Sequence, residues 1–306
     1  MKKILITGGT GFVGKQLTRF LLKQGYQVGI LSRQQLSSTK EVKFYQWNIA
    51  KEYIDKKALA NVDTIINLAG ANIGKKRWTT DRKREIVESR LKSLDLLYKY
   101  VSENDFPVKR IISSSAVGYY GTVTNQHIYT ENDENGNDFL ASVCSQWESA
   151  ARQFEELEID VVILRKGVVI GKKGEFSEKI IPLVKRSISP AVGNGKQYIP
   201  WIDIRDLVSL YGFLLTNPNI SGIFNTVATK QPTMNNMTKA YQNHFNKKSI
   251  LPNAPAIVIK LLYGKMANML LYGSRVSNEK IKDCGFQFEY DSIEKALRCS
   301  KGVGEI

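Results

Sequence analysis

A chain of 306 residues is long enough for two domains, or for one domain with a large lobe, and it buries enough surface to fold without disulfides or metal. Its 42% hydrophobic and 24% charged residues exclude a disordered chain. The net charge of +15 raises a nucleic-acid reading, but the lysines are dispersed, and acidic Asp81, Glu85 and Glu88 interrupt the densest basic run, Lys75 to Arg84. The excess therefore reads as a solvated surface that steers anionic small molecules, with no nucleic-acid partner.

The elements alternate along the chain. Lys3 to Thr7 (KILIT) is a buried strand, and Phe12, Val13, Leu17, Phe20 and Leu21 set a helical spacing over Gly11 to Lys23. Further strands are predicted at Gln27 to Ser32, Val42 to Trp47 and Asp63 to Leu68, then a charged helix from Asp81 to Glu103. Lys109 to Ser114 is a strand, Phe139 to Leu157 a helix and Asp160 to Arg165 a strand. A glycine- and proline-rich stretch from Gly167 to Pro200 surrounds one short helix. Asp203 to Leu215 reads as helix, with Asp203 and Asp206 at its start, and Gly222 to Ala228 as a strand rejoining the sheet. Beyond Thr233 the pattern is helical except for an extended piece at Phe286 to Tyr290. Alternating strands and helices specify an α/β fold, a Rossmann-type doubly wound parallel sheet with a smaller, mostly helical C-terminal lobe. The expected boundaries are 1–166 and 201–229 for the nucleotide-binding domain, and 167–200 and 230–306 for the substrate lobe.

The three cysteines, Cys144, Cys284 and Cys299, form no CxxC pair, which suits a reducing compartment and gives no zinc site. The N-terminal apolar run is too short for a secretion signal, and Lys260 and Lys265 interrupt the apolar stretch Ala254 to Tyr272. A cytoplasmic protein without a membrane partner is expected.

Between the first strand and helix lies Thr7-Gly8-Gly9-Thr10-Gly11-Phe12-Val13-Gly14. Gly8 permits a tight turn, Gly11 lets the backbone approach a pyrophosphate, and Gly14 lets helix pack on strand. The helix N-terminus supplies amide donors and a positive dipole end. An NAD site places a carboxylate about 20 residues further on, against the ribose hydroxyl. Here the second strand ends in Ser32-Arg33, and a guanidinium suits a 2′-phosphate, so the expected cofactor is NADP.

These residues, with Asn67-Leu68-Ala69-Gly70 and Ser113-Ser114-Ser115, resemble the extended short-chain dehydrogenase/reductases. Asn67 to Trp78 (NLAGANIGKKRW), ESRL from Glu88, SSSAVGYYG from Ser113, WESAA from Trp147, LRKGVVIG from Leu164 and PWIDIRDL from Pro200 narrow the likeness. They resemble an atypical epimerase-like branch, known as nucleoside-diphosphate-sugar epimerases or cell-division inhibitors. The resemblance implies that Gly8, Thr10, Gly11, Phe12 and Val13 cradle the pyrophosphate and that Ser32 and Arg33 take the adenosine phosphate. It also implies that Leu68, Ala69, Gly70 and Ser113 line the cofactor's path, that Glu85 and Arg90 face it from the long helix, and that Val168 and Val169 pack by the nicotinamide. A homodimer is compatible with it.

Superfamily catalysis uses a serine after the fifth strand and a Tyr-x-x-x-Lys on the next helix. Ser115 occupies the serine position, but Leu140 and Cys144 stand where the tyrosine and lysine belong. Ser115 and Tyr119, with Tyr120 beside it, are then the catalytic candidates, Ser115 to orient the substrate oxygen and Tyr119 as acid. The corresponding function is an NADP-dependent oxidoreductase or epimerase-like enzyme acting on an anionic, nucleotide-linked small molecule. The alternative, which the absent dyad favours, is a non-catalytic NADP(H)-binding regulator. Cys144 alone, lacking an adjacent cation or histidine, reads as packing.

Overall fold

The computed structural model describes residues 2–299; Met1 and residues 300–306, which the expected domain boundaries include, lie outside the described residues. β1 (Lys3–Thr7) leads through α1 (Phe12–Lys23) to β2 (Gln27–Ser32) and β3 (Val42–Asn48), and β4 (Tyr53–Ile54) and β5 (Val62–Asn67) precede α2 (Thr80–Ser102). β6 (Arg110–Ala116) runs into a 3₁₀ turn at Val117–Tyr120, followed by β7 (Ile128–Tyr129), α3 (Phe139–Arg152), β8 (Asp160–Lys166) and β9 (Val168–Ile170). Next come α4 (Glu175–Lys185), β10 (Trp201–Asp203), α5 (Ile204–Thr216) and β11 (Gly222–Thr226). α6 (Met234–Phe245), α7 (Ala256–Tyr263), α8 (Asn268–Leu271), β12 (Arg275–Val276), α9 (Glu279–Asp283) and α10 (Ile293–Cys299) complete the described chain.

Eight strands form one sheet in the order β11-β8-β6-β5-β1-β2-β3-β4, parallel throughout except for the β3–β4 pair. Helices cover both faces, which is why the strands read as unbroken β-branched runs and not as alternating ones. Leu5, Ile65, Ile111 and Ile163 face Leu94 of α2 and Trp147 of α3; Ile4, Ile6, Ile66 and Ile112 face Leu17 and Leu21 of α1 and Leu214 of α5. A third core joins α4, α6 and α10 through Ile180, Met237, Tyr241 and Ile293.

The sequence places seven of the sheet's strands, and the fold is the doubly wound one expected. The predicted extended piece at Phe286 to Tyr290 is irregular backbone without strand pairing. Its Glu289 and Tyr290 amides are taken by the Asp206 carboxylate, at 2.9 and 2.8 Å, which leaves them unavailable to a sheet neighbour. Asp203 caps α5, accepting from the Arg205 amide at 2.8 Å. None of the described helices is long and apolar enough to cross a membrane.

β1 lies between β2 and β5, where strand order reverses. In such a sheet the carboxyl ends of these strands open a crevice, the ordinary place for a ligand.

Candidate functional site

The crevice floor is a chain of side-chain hydrogen bonds across three strand ends. Thr7 Oγ1 donates to Asn67 Oδ1 at 2.6 Å, and Asn67 Nδ2 donates to Ser113 Oγ at 3.2 Å, joining β1, β5 and β6. The same threonine oxygen accepts from the Leu68 and Ala69 amides, at 3.2 and 3.1 Å, and folds the Leu68–Gly70 loop over β1.

The glycine-rich turn faces this loop. Gly8 has φ +67°, and a Cβ there would stand 2.8 Å from the Leu68 carbonyl carbon. One on Gly14 would stand 2.5 Å from Gly8 O, so both positions require glycine for packing. Gly11 differs: a Cβ would meet only Gly8 O, at 3.3 Å, and would otherwise project into open space. α1 begins at Phe12 with Gly11 as N-cap and no side-chain cap, and Thr10 is exposed beside it. A bare backbone before uncapped helix amides fits the diphosphate of a dinucleotide. Val13 packs on the sheet core, while the Phe12 ring reaches the opposite wall, where a Cβ on Gly171 would come within 2.8 Å of it.

At the end of β2, Ser32 is buried and accepts from the Gln34 amide at 3.1 Å, while Arg33 is exposed. Glu85 of α2 is held below the usual carboxylate range by its hydrogen bond from Arg82, with Lys76 and Arg33 adding to the effect. Arg33 and Lys76 thus bring exposed positive charge near Glu85, while Arg82 is buried and engaged by Glu85. Arg90 is turned inward. It donates to Ile86 O (2.8 Å) and Ala71 O (3.2 Å), stacks on Trp147 (4.8 Å), and lies where a Gly70 Cβ would come within 3.1 Å of Cζ. Burial lowers its pKa to about 10. Arg90 therefore props the Leu68–Gly70 loop from below.

Beyond β6 the side chains form a buried polar cluster. Ser115 is 1% exposed and donates to Glu148 Oε1 at 2.6 Å, so its proton is engaged within the protein. Arg165 meets both oxygens of Glu148 (2.9 and 2.8 Å), and its Nη1 donates to the Tyr120 hydroxyl at 3.0 Å. Tyr120 in turn donates to Asn225 Oδ1 at 2.7 Å. Burial works against the Arg165 charge, but Glu148 outweighs it and holds the guanidinium above its ordinary range. Burial pushes the Tyr120 phenol up to about 12. The Tyr119 ring lies flat on Arg165, with Cζ 3.4 Å from its centroid, and that residue remains partly exposed.

β8 ends in Lys166, whose Nζ donates to Ser114 Oγ at 2.8 Å. Val168 and Val169 follow in β9, paired with β10, and form part of the opposite wall, where Val168 is 36% exposed. Asn72 bridges the rim, donating to Glu175 Oε2 at 2.6 Å at the start of α4.

A dinucleotide-binding crevice under a helical lobe is matched by known proteins. The model of the NAD dependent epimerase/dehydratase family matches residues 4–226. The chain belongs to this epimerase family. A second match, to a domain of unknown function (DUF1731), covers residues 254–299. An epimerase family protein of Staphylococcus aureus is 35% identical over 301 residues, 97% of this chain and 98% of that protein. The crystal structure of the human epimerase family protein SDR39U1 with NADPH superposes with a TM-score of 0.87 at 26% identity, covering 98% of this chain and all of that one. A Corynebacterium glutamicum structure described as a nucleoside-diphosphate sugar epimerase gives 0.78 at 26% identity, covering 98% of this chain and 58% of that one.

Within this epimerase family member, Leu140 and Cys144 are buried, packing residues of α3. Burial pushes the Cys144 thiol up to about 12, the opposite of a reactive cysteine. Among the described residues no group of three or more His, Cys, Asp or Glu is placed to hold a metal. Glu148, Arg165, Lys166 and Asn225 are polar residues of the site to which sequence reasoning gave no role, although the first three stand inside the WESAA and LRKGVVIG segments that carried the resemblance.

Proposed function

We propose that this epimerase family chain binds NADPH in the crevice between β1 and β5, in the cytoplasm, and acts at a carbon–oxygen bond of an anionic, nucleotide-linked small molecule. The observation that carries the cofactor choice is Arg33. It stands exposed at the end of β2, where NAD sites carry a carboxylate, and acts with exposed Lys76 on the same Glu85. The NADPH in the human structure and the description of the Corynebacterium protein support the same reading.

In this assignment Gly8, Thr10, Gly11, Phe12 and Val13 hold the diphosphate, and Ser32 and Arg33 hold the adenosine phosphate. Leu68, Ala69, Gly70 and Ser113 line the path, supported by Arg90. Val168 and Val169 exclude water from the nicotinamide end. The bound cofactor would supply or accept a hydride. Tyr119 is the residue assigned to the substrate oxygen, and Ser115 positions it by fixing Glu148, which fixes the Arg165 guanidinium under the tyrosine ring. A second reading, an NADP(H)-binding regulator without turnover, is favoured by the inward packing of Leu140 and Cys144.

Equilibrium binding by nicotinamide fluorescence tests the assignment. NADPH is expected to bind more tightly than NADH, and Arg33→Ala to lose about tenfold in NADPH affinity, the worth of one charge-assisted contact, while NADH binding is unchanged. Equal affinities in the native protein would overturn the cofactor choice. Following NADPH oxidation against fractionated metabolites then separates enzyme from regulator.

A further inference from the structure

The cation that α3 lacks is present elsewhere in the site. Lys166 is the last residue of β8, paired in register with Ala116 of β6 on one side and Thr226 of β11 on the other. Its position puts it at the carboxyl edge of the sheet, next to the strand carrying Ser113 to Ser115. The amine donates to Ser114 Oγ at 2.8 Å, and Tyr211 of α5 lies against the same serine. No carboxylate pairs with it among the described residues. The charged group that acts on it is another cation, Arg90 of α2.

We propose that Lys166 is the proton-transferring amine of the cleft, acting from the carboxyl end of β8 on the α5 side of the sheet. The proposal rests on the NADPH reading above and gives the proton transfer to Lys166, leaving Tyr119 to hydrogen-bond the substrate oxygen. For reduction of a carbonyl, the substrate carbon gains a hydride, with its electron pair, from the reduced nicotinamide. One N–H bond of Lys166 breaks as the O–H bond forms, leaving a neutral amine that recovers a proton from solvent. In the opposite direction the neutral amine takes the hydroxyl proton. Ser114 holds Nζ in place in both forms, accepting from the ammonium or the amine.

The electrostatics agree with this role. Burial, helped by the charge of Arg90, lowers the Lys166 pKa to about 8, close to working pH, where an acid–base group is most effective. A strand-end lysine that merely solvates the sheet edge would retain the ordinary value of about 10.4.

Trace labelling with acetic anhydride across roughly pH 6–11, read by peptide mass spectrometry, tests the idea on the intact protein without needing a substrate. The labelling midpoint of Lys166 is expected near 8 while surface lysines titrate about two units higher, and saturating NADPH should slow its labelling at least fivefold. An ordinary midpoint, or no labelling at all, would overturn the proposal, since the amine would be either unperturbed or closed to a ligand. NADPH binding with unchanged Lys166 reactivity would overturn it while leaving the cofactor reading intact. Failure of NADPH to bind would remove both. Lys166→Met serves to assign the low-midpoint peptide, which it should lack; a low-midpoint signal persisting in it would overturn the proposal.

Discussion

At the scale of single residues, Asp206 shows how a buried carboxylate can serve the backbone. Its two oxygens accept the Glu289 and Tyr290 amides and hold an irregular segment against α5. Burial pushes its carboxyl up to about 6, although these hydrogen bonds pull the other way. The folded pKa thus exceeds the unfolded value of about 3.9, and the folded state binds the extra proton between the two. Stability from this group is complete at the acid end, falls as pH rises from about 4 to about 6, and is level above. Asp206→Asn removes that slope and leaves one amide unpaired, at a cost of about 1–3 kcal/mol. Thermal unfolding across the same pH window checks both effects, and an unchanged slope would remove Asp206 as its source.

At the scale of elements, the glycine-rich turn separates packing from binding. Gly14→Ala drives a methyl into Gly8 and Gly9, so it is expected to cost about 1–3 kcal/mol and to lose NADPH binding as well. Gly11→Ala meets only one backbone oxygen, so its thermal midpoint should stay near that of the native protein while NADPH affinity falls at least tenfold. Native affinity in Gly11→Ala would show that no diphosphate lies there. This turn was legible in the sequence because strand, glycines and helix are contiguous, and Arg33 because its distance from them is fixed by one helix and one strand. The polar cluster was not. Ser115 and Glu148 are 33 residues apart and meet because α3 packs on β6; Lys166 and Ser114 are 52 apart and meet because β6 and β8 pair. Nothing local marks such pairs, and a missing Tyr-x-x-x-Lys says where chemistry is absent without saying what replaces it. The short strands β7, β9, β10 and β12 escaped for a related reason: two or three residues carry no periodicity.

At the scale of the whole molecule, the two expected units interlock. Ile281, 0% exposed, and Phe286, 5% exposed, come from the C-terminal part yet belong to the sheet core with Leu210 and Leu214 of α5. Each contributes roughly 1.5–3 kcal/mol by burial, against a total stability of about 5–15 kcal/mol for an ordinary domain. A fragment ending at Thr229 is therefore expected to lose cooperative unfolding, measured by near-ultraviolet circular dichroism during heating. A sharp transition near the native midpoint would show that the sheet stands without them.

The parallel ladder of β7 with β12 sets an order of assembly. Parallel strands cannot be closed by a tight turn, and these two pair Ile128 with Arg275 and Tyr129 with Val276 across most of the chain's second half. Closing so long a loop is entropically late, and on a ribosome it must wait until residue 276 has emerged. By then the crevice strands, all earlier in sequence, have long been available to pair. The wall beyond Tyr119 is accordingly the last part of the crevice to be built, and a nascent chain passes through a stage with a finished floor of strand ends and an open side.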